Sequence, residues 1–404
     1  MSVKPLSGRR VIELGTMIAA PFATHILSQL GAEIIKVEPL TGDTTRALVR
    51  GGPSGTFIAY NHGKKSISID LSTIEGNGVF RKLVATADVV VHNLSPAATR
   101  KLNIAPGDLS DANPELIYCH VCGYGPGPQE NDLATNPVAE AATGVMDDHR
   151  IDGRPSRLGP SYHDQFAGAY AVIRVLAALM QGNLTPEERY IRIGLYETGL
   201  HVAGRDLAGI QLKKQLLGRP EKEAGGEFAM PGYGAYKTSD ERWVYLLVIT
   251  DAHWKKLARA LNMPEADEAE LDLLRERKKQ RERVEAAIRH SVGQFTFNEL
   301  CALLQEAGLG HTEVLPLERV LDSPQAQHSG KLREMDFRGL HFEVPEFPGA
   351  STIESDLPPP ELGEHTISLL AELGYDDEQR NKLLRQKHVH EADNRELAWA
   401  PVRK

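Results

Sequence analysis

Residues 10–37 have the sequence RVIELGTMIAAPFATHILSQLGAEIIKV, in which two apolar runs flank a longer segment. The run Arg10–Leu14 is typical of a buried strand, and the β-branched run Ala32–Val37 predicts a second one. Between them, residues 21–30 predict a helix that opens with Pro21 in its first turn, where proline is well tolerated. A strand, a helix and a strand with short connections indicate a parallel α/β sheet.

The same alternation continues along the chain. Further strands are predicted at Ser66–Ile69, Asp88–Val91, Leu116–Val121, Tyr190–Leu195 and Trp243–Ile249, and helices at 75–86, 164–181, 196–217, 251–309 and 363–386. Glycine, glutamate and proline dominate residues 218–233, which indicates a domain boundary. The charged run 274–287 mixes both signs and predicts a solvated helix face rather than a binding patch.

Composition excludes several classes of function. The 404 residues include 46 basic and 55 acidic side chains, a formal net charge of −9, which argues against nucleic acid as a partner. No apolar run approaches the roughly 20 residues that a membrane span needs, and the first residues, MSVKPLSGRR, lack the apolar core of a secretory signal. Three cysteines do not form a disulfide framework. We therefore expect a cytoplasmic protein with no membrane partner.

The first strand and helix resemble the start of a dinucleotide site, and Glu38 ends the second strand where a ribose-binding acid would lie. The turn from Gly15 to Pro21 nevertheless lacks the G-x-G-x-x-G pattern, and Pro21 removes an amide that a phosphate would need. A nicotinamide or flavin site is therefore not expected.

Cys119 and Cys122 have a spacing that metal and redox sites share. Only Cys301 remains as a further thiol, whereas a structural zinc needs four ligands. Alternation along the predicted strand also directs Cys119 and Cys122 to opposite faces. We predict two buried strand cysteines and no metal site.

The segment LGPSYHDQFAG, residues 158–168, places Asp164 at the start of a long apolar helix. An aspartate there has an ordinary explanation, because it caps the helix and meets the positive end of the dipole. The flanking Gly/Pro/Ser loop and the small helical residues would also let a ligand approach the carboxylate, as nucleophilic catalysis requires. The residues alone leave both interpretations open.

The chain resembles the class III CoA-transferase family, which includes formyl-CoA transferase, carnitine-type CoA transferases and α-methylacyl-CoA racemase. The resemblance covers nearly the whole chain. It rests on LSGRRVIELGTMIAAPFATHILSQLGAEIIKVEPLTGDTTR at 6–46, NHGKKSISIDL at 61–71, NLSPAATRKLNI at 93–104, NPELIYCHVCGYGPGP at 113–128 and PPPELGEHTISLLAELGYDDEQ at 358–379. These segments occur in the family's order, which makes the resemblance specific.

The resemblance implies a large Rossmann-like α/β domain formed by both chain ends, with a smaller α+β domain inserted between them. On this chain the expected domains are residues 1–222 with 328–404 and residues 223–327. It also implies that two chains interlock as a homodimer, with a hetero-oligomer containing a paralogous chain as the alternative.

The resemblance also implies roles for individual residues. Asp164 matches the family's nucleophilic aspartate, and Met17, Ile18 and Ala19 match the turn whose backbone faces the thioester. The remaining matches are Lys64 and Lys65 near the CoA phosphates, Asn93 and Arg100 at the nucleotide contacts, and Gly225 and Gly226 at a glycine loop over the active site. No permanently bound cofactor is implied, since coenzyme A enters as the acyl-CoA substrate.

The implied reaction moves CoA from a donor acyl-CoA to an acceptor carboxylate through an aspartyl anhydride and an aspartyl-CoA thioester. Amides at Ile18 and Ala19 would stabilise the oxyanion. A basic cluster of His149, Arg150, Arg154 and Arg157 precedes Asp164 and suits acids with a second carboxylate, which makes succinyl-CoA the expected donor.

Two alternatives remain open. The racemase branch carries a His-Asp pair after the GYGPGP turn, and alignment of ATNPVAEAATG, residues 134–144, places Thr135 and Asn136 at those positions. Both acid/base groups of a racemase are then missing, although His163 could be argued as a substitute. The second alternative is an inactive structural subunit, against which the presence of Asp164 argues.

Overall fold

A computed structural model describes residues 4–48, 54–218, 230–349 and 357–392 of the chain. The strands in these ranges are β1 (Arg10–Leu14), β2 (Glu33–Glu38), β3 (Lys65–Ile69), β4 (Val89–His92), β5 (Ile117–Cys122), β6 (Arg150–Ile151), β7 (Arg154–Pro155), β8 (Tyr190–Gly194), β9 (Tyr233–Lys237), β10 (Trp243–Leu247), β11 (His311–Glu313), β12 (Leu332–Phe337), β13 (Leu340–Pro345) and β14 (Val389–His390).

The α-helices are α1 (Ala19–Gln29), α2 (Gly55–Asn61), α3 (Ile74–Val84), α4 (Pro96–Lys101), α5 (Pro106–Leu109), α6 (Asn136–Ala142), α7 (Val145–Asp148), α8 (Tyr162–Gln181), α9 (Pro186–Arg189), α10 (Leu195–Val202), α11 (Gly204–Leu217), α12 (Asp251–Ala260), α13 (Leu274–Lys279), α14 (Arg281–Val292), α15 (Phe297–Glu306), α16 (Pro324–His328), α17 (Thr366–Glu372) and α18 (Asp377–Arg385). Short 3-10 helices span Thr44–Ala47, Pro264–Asp267, Ala269–Asp272 and Leu317–Arg319. No helix within the described ranges has the length and apolar character needed to cross a membrane.

The described residues fall into two compact units, one within Met1–Gly204 with Gly330–Lys404 and the other within Arg205–Ser329. The first unit contains a seven-stranded sheet of order β14-β3-β2-β1-β4-β5-β8. All pairs in this sheet are parallel except β14 with β3, which is antiparallel. The predicted parallel α/β class is therefore confirmed, while the predicted domain boundaries and the interlocked dimer stay predictions.

Neighbouring residues on each strand contribute to different apolar clusters, as a pleated strand with period two requires. One cluster joins Val11, Ile34 and Val89 to α1 and α8, and the other joins Ile12, Ile35 and Val90 to α3, α17 and α18. Both faces of the sheet are covered, which explains why its strands are almost continuously apolar.

The second unit contains the antiparallel sheet β9-β10-β11. Trp254, Val284 and Leu300 from α12, α14 and α15 form its apolar core together with strand residues such as Val244. This unit is an α+β arrangement with its own core.

Several predicted elements differ in detail. The helix expected over 196–217 is interrupted at Ala203, which separates α10 from α11. The charged run 274–287 is interrupted at Gln280, between α13 and α14. The hairpin of β12 and β13 is not among the elements that the sequence predicted.

Candidate active site

The order of strands defines where a site can form. From β1 the chain proceeds through β2 and β3 toward one side of the sheet, and through β4, β5 and β8 toward the other. The turns that follow the neighbouring strands β1 and β4 therefore lead away in opposite directions and leave a crevice between them. In α/β proteins, ligands bind in such a crevice at the carboxyl ends of the strands.

The turn after β1 brings backbone amides to this crevice. Helix α1 begins at Ala19 with Ile18 as its N-cap, so its first N–H groups have no partner inside the helix. Met17 has φ 64°, a left-handed conformation that costs free energy for a residue with a side chain. Gly15 allows the close packing of this turn, since a Cβ there would lie 2.8 Å from the Cβ of Ala20.

Asn93, directly after β4, connects the two diverging turns. Its Oδ1 accepts a hydrogen bond from the Thr16 amide at 2.9 Å, and its Nδ2 donates to the Thr16 carbonyl at 2.7 Å. The side-chain amide thus fixes the turn after β1. Both polar atoms of the Asn93 side chain already bond Thr16. The contact of Asn93 with the nucleotide stays a prediction.

Asp164 lies in the first turn of α8 and is half-buried. Gly168, one turn later on the same face, packs so tightly that a Cβ there would lie 2.7 Å from the Ala19 carbonyl oxygen. Residues four apart on a helix share a face, so this contact directs Asp164 toward the start of α1.

The structure distinguishes the two interpretations of Asp164. The N-cap of α8 is Ser161, which makes no side-chain cap bond, and Asn136 supplies the missing acceptor. Asn136 Oδ1 accepts from the amides of His163 at 2.9 Å and Asp164 at 3.4 Å. No hydrogen bond to the Asp164 carboxylate is found in the part of the chain that the structure describes. The carboxylate is not used as a cap and remains available to a ligand.

The surroundings of Asp164 favour its protonated form. Burial raises the pKa of the Asp164 carboxyl to about 7, Arg157 opposes this rise, and Glu140 adds to it. Glu140 is itself fully buried and accepts from Asn136 Nδ2 at 2.5 Å. A buried carboxylate without tight partners is poorly solvated and therefore more nucleophilic than one in water.

A cavity of about 430 Å³ is lined by Asp164. Its wall includes five of the residues predicted for the site, namely Met17, Ile18, Ala19, Asn93 and Asp164, together with Arg157 of the basic cluster. His149, Arg150 and Arg154 do not line it, and Arg150 pairs with Asp147 instead. No hydrogen bond or ion pair of the Arg157 guanidinium occurs among the described residues.

A second cavity, of about 370 Å³, lies at the carboxyl ends of β1, β2 and β3. Its wall is largely apolar, with Leu14, Leu71, Leu94 and Leu102 among its residues. Thr16 lines both cavities, so they adjoin on either side of the turn after β1.

Lys64 does not have the environment that the resemblance implied. It is 1% exposed, and its ammonium group donates to Glu13 at 2.6 Å, Thr24 at 2.9 Å and the Pro21 carbonyl at 3.0 Å. Asn61 Oδ1 lies 3.2 Å from the same ammonium group. An ammonium group has three donors, so none is left for a CoA phosphate. The expectation for Lys64 is corrected accordingly.

Lys65 and Arg100 lie outside the cavity of Asp164. Lys65 is the first residue of β3 and pairs with Glu33 at the start of β2. Arg100, in the last turn of α4, is exposed and lines a separate cavity of about 320 Å³ that also contains Arg192. Their contacts with CoA stay predictions. Gly225 and Gly226 lie outside the described residues.

Neither residue at the racemase positions supplies a base. Thr135 and Asn136 both line the cavity of Asp164, but a hydroxyl and an amide are too weakly basic to abstract a proton. His163 is buried beside Thr143, Gly199 packs closely against it, and it does not line this cavity. Burial lowers its pKa. The suggestion that His163 substitutes for the racemase histidine does not fit this geometry.

Cys119 and Cys122 are buried on β5 as unpaired thiols, in agreement with the predicted strand cysteines. Within the described ranges, no group of three or more potential ligands is placed to hold a metal ion.

Comparisons with known proteins are consistent with this geometry. A profile of the family described as CoA-transferase family III matches residues 6–366. The chain is 29% identical over 390 residues to a succinate–glutarate CoA-transferase of Agrobacterium fabrum, covering 91% of this chain and 96% of that protein. It is 30% identical over 408 residues to the alpha subunit of a succinyl-CoA–L-malate CoA-transferase of Chloroflexus aurantiacus, covering 95% and 92%.

A solved structure shares the fold. The crystal structure of a CAIB/BAIF family protein from Brucella suis superimposes with a TM-score of 0.79 at 28% sequence identity. The superposition covers 92% of this chain and 100% of that one.

Proposed function

Because the chain belongs to CoA-transferase family III, we propose that it transfers CoA from a donor acyl-CoA to an acceptor carboxylate with Asp164 as the nucleophile. The observation that supports this role is the Asp164 carboxylate, which no described group binds and which shares a cavity with the start of helix α1. An inactive structural subunit would have no need for such a group.

The first half-reaction forms a thioester on the protein. The Asp164 carboxylate attacks the thioester carbonyl carbon of the donor, the C–S bond breaks, and a mixed anhydride and CoA thiolate result. The thiolate then attacks the aspartyl carbonyl carbon, and the donor acid leaves as its carboxylate. Asp164 is left as an aspartyl-CoA thioester, and no proton is gained or lost.

The second half-reaction reverses these steps with another acid. The acceptor carboxylate attacks the aspartyl thioester, thiolate leaves, and the thiolate attacks the acceptor carbonyl of the new anhydride. The Asp164 carboxylate is released as the leaving group. A weak nucleophile is adequate because the thiolate remains bound, which gives it a high effective concentration.

Backbone amides at the start of α1 supply electrostatic stabilisation in this proposal. Each tetrahedral intermediate carries a negative oxygen, and Ile18 and Ala19, whose N–H groups are the proposed donors, line the same cavity as Asp164. The positive end of the α1 dipole acts in the same direction. The cavity must also exclude water, because water would hydrolyse the anhydride.

The CoA nucleotide is assigned to the apolar cavity beside the turn. Leu71, Leu94 and Leu102 offer an apolar wall for the adenine ring. Thr16 separates this cavity from that of Asp164, so a long substrate can lie along the turn with its thioester on the far side. Arg100, Lys65 and Met17 remain proposed contacts of CoA, and CoA itself is substrate rather than resident cofactor.

Arg157 indicates the class of acid. The Arg157 guanidinium makes no hydrogen bond with any described residue and lies in the wall of the reactive cavity, so it is suited to a second carboxylate at the far end of a dicarboxylic acid. The relatives named above act on succinate, glutarate or malate, all of which carry two carboxylates. We infer a short dicarboxylate pair, with succinyl-CoA as donor.

The proposed assembly is an interlocked homodimer. Large apolar side chains are exposed along one side of α8, at Phe166, Ile173 and Met180, which suits burial by a second chain. The alternative is a hetero-oligomer, as the alpha and beta subunits of the Chloroflexus aurantiacus relative suggest. Light scattering on the purified chain should give twice the chain mass, and a monomeric mass would contradict the homodimer.

The test of the proposed function is a covalent trap at Asp164. Incubated with succinyl-CoA and hydroxylamine, the protein should carry a hydroxamate at Asp164, detected by mass spectrometry of its peptides. Asp164→Ala should abolish both the label and CoA transfer, whereas Asp147→Asn, an exposed acid outside the cavity, should retain both. A label on another residue would contradict the mechanism.

A parallel incubation in deuterated water tests the racemase alternative. With a chiral 2-methylacyl-CoA and no acceptor acid, the α-carbon should retain its configuration and gain no deuterium, because no base is present at Thr135. Deuterium at the α-carbon without CoA transfer would overturn the proposed function.

A further inference from the structure

Two lysine side chains lie fully buried behind the turn that carries Ile18 and Ala19. The Lys36 ammonium group is 2.7 Å from Glu13 Oε1, 2.8 Å from Asp43 Oδ2 and 2.8 Å from the Gly15 carbonyl oxygen. The last of these contacts is a hydrogen bond to the first residue of the turn. Lys36 thus fixes the end of the turn that leaves β1.

Lys64 fixes the other end. Its ammonium group is 2.6 Å from Glu13 Oε2 and donates to the Pro21 carbonyl oxygen at 3.0 Å. Glu13 therefore accepts from both lysines, one at each carboxylate oxygen. Thr24 completes the arrangement, since its hydroxyl donates to Glu13 at 2.5 Å.

We call the hydrogen bonds from Lys36 to Gly15 and from Lys64 to Pro21 tethers. The turn between them is conformationally demanding. Met17 lies in the left-handed region, which an ordinary residue adopts only where the surroundings hold it there. Asn93 holds the middle of the turn through both polar groups of Thr16. The hydrogen bonds at Gly15, Thr16 and Pro21 flank Ile18 and Ala19 and so restrict the backbone of these two residues.

Stability alone is a weak reason for such a cluster. Glu13, Lys36 and Lys64 are at most 1% exposed, and removing charges from water costs free energy that apolar side chains of similar size would not lose. The cluster is charge-balanced, since Glu13 and Asp43 oppose the two lysines. What charged groups provide here is a set of directional bonds to backbone carbonyls.

We propose that Glu13, Lys36 and Lys64 are positioning residues that hold the donor amides of this turn in the geometry that the transition state requires. The proposal rests on the proposed function, because it concerns the amides that would stabilise the oxyanion. Donors fixed in advance need no reorganisation when charge develops, and a displacement of about 1 Å costs roughly 100-fold in rate.

The test uses a charge-balanced double variant, Glu13→Gln with Lys64→Met, in the full-length chain. It removes the tether at Pro21 and leaves Lys36 paired with Asp43. We expect kcat for CoA transfer to fall roughly 10- to 100-fold, while the dissociation constant for CoA changes less than twofold. The melting temperature must remain well above the assay temperature.

Asn61→Leu is the matched control. Asn61 is equally buried and touches the same Lys64 ammonium group, but it bonds no atom of the turn. We expect it to lower the melting temperature and leave kcat within twofold. A loss of kcat that simply follows the loss of stability in both variants would overturn the positioning role.

Two further outcomes are decisive. A weaker affinity for CoA with unchanged kcat in the double variant would show that Lys64 contacts the substrate, and would overturn the proposal. If the double variant does not fold, Thr24→Val keeps all charges and loosens Lys64. It should lower kcat several-fold at unchanged CoA affinity, and an unchanged kcat would overturn the proposal.

Failure of this inference is separable from failure of the proposed function. Inactive Asp164→Ala with a fully active double variant would remove the positioning role alone. Active Asp164→Ala would remove the mechanism on which both rest.

Discussion

The Asp164 carboxyl group has to be ionised to attack a thioester, yet its burial raises its pKa to about 7. Below that pH the protonated form predominates and cannot act as a nucleophile. We therefore predict that kcat/KM for the donor acyl-CoA rises with pH and levels off above about 7.

Arg157→Gln provides the internal check on this assignment. Arg157 lowers the Asp164 pKa through its positive charge, so its removal should move the midpoint to higher pH. If the midpoint of the pH profile is unchanged in Arg157→Gln, the titrating group is not Asp164.

The proposed preference for dicarboxylic acids also depends on Arg157. Arg157→Gln should lose roughly 10- to 100-fold of the preference for glutarate over butyrate as acceptor, since a charged hydrogen bond contributes about 1.5–3 kcal/mol. The measurement is the ratio of kcat/KM for the two acids. Arg154→Gln, three residues earlier in β7 and outside the cavity, is the control and should retain the preference. An unchanged ratio in Arg157→Gln would remove the dicarboxylate assignment.

Single residues also show how far the sequence could be interpreted. The resemblance assigned Asp164, Met17, Ile18 and Ala19 to the reacting end of the substrate and Asn93 to the nucleotide, and all five line one cavity. It gave no indication that Lys64 points inward, because the partner Glu13 is 51 positions away along the chain. The role of Asn136 was missed as well, since it caps α8 from a different helix, 27 residues before His163.

At the scale of elements, the contact between α1 and α8 determines how the two halves of the site face each other. Gly168 has no side chain where α8 meets Ala19, and an added Cβ would lie 2.7 Å from a backbone oxygen that cannot move easily. We predict that Gly168→Ala shifts α8 and lowers kcat roughly 100-fold.

Gly78→Ala is the control for this prediction. Gly78 lies in α3 with open space where an alanine Cβ would stand, so the substitution should leave kcat unchanged and stabilise the fold by about 0.4–1 kcal/mol. Full activity of Gly168→Ala in steady-state assays would mean that the helix contact does not position Asp164.

Elements with strong periodicity were predictable and those without it were not. Strand β1 has the bounds that the sequence indicated, and β2, β4 and β5 differ by one residue at either end. Helix α1 begins at Ala19, two residues before the predicted Pro21, because the first N–H groups of a helix have no partner inside it and Pro21 therefore fits its third position. Strand β14 has two residues, which is too short for any pattern, and only its pairing with β3 defines it.

At the scale of the whole molecule, residues from the two ends of the chain share one apolar cluster. Leu370 of α17 is fully buried in it with Ile67 and Phe80. Leu370→Ala should therefore lower the free energy of unfolding by about 2–5 kcal/mol, measured by urea denaturation. Ile74→Ala, at an 89% exposed position on α3, should change it by less than about 0.5 kcal/mol. Equal effects would mean that the C-terminal helices do not stabilise the sheet.

The antiparallel strand β14 sets a condition on biosynthesis. It pairs Val389 with Ile69 and covers the outer edge of β3, so this edge is completed by residues made several hundred positions later. At about 5–20 residues per second, a translating ribosome leaves the edge of β3 open for tens of seconds. An open strand edge readily pairs with other chains. The edge of β3 is therefore exposed to such pairing until β14 has left the ribosome.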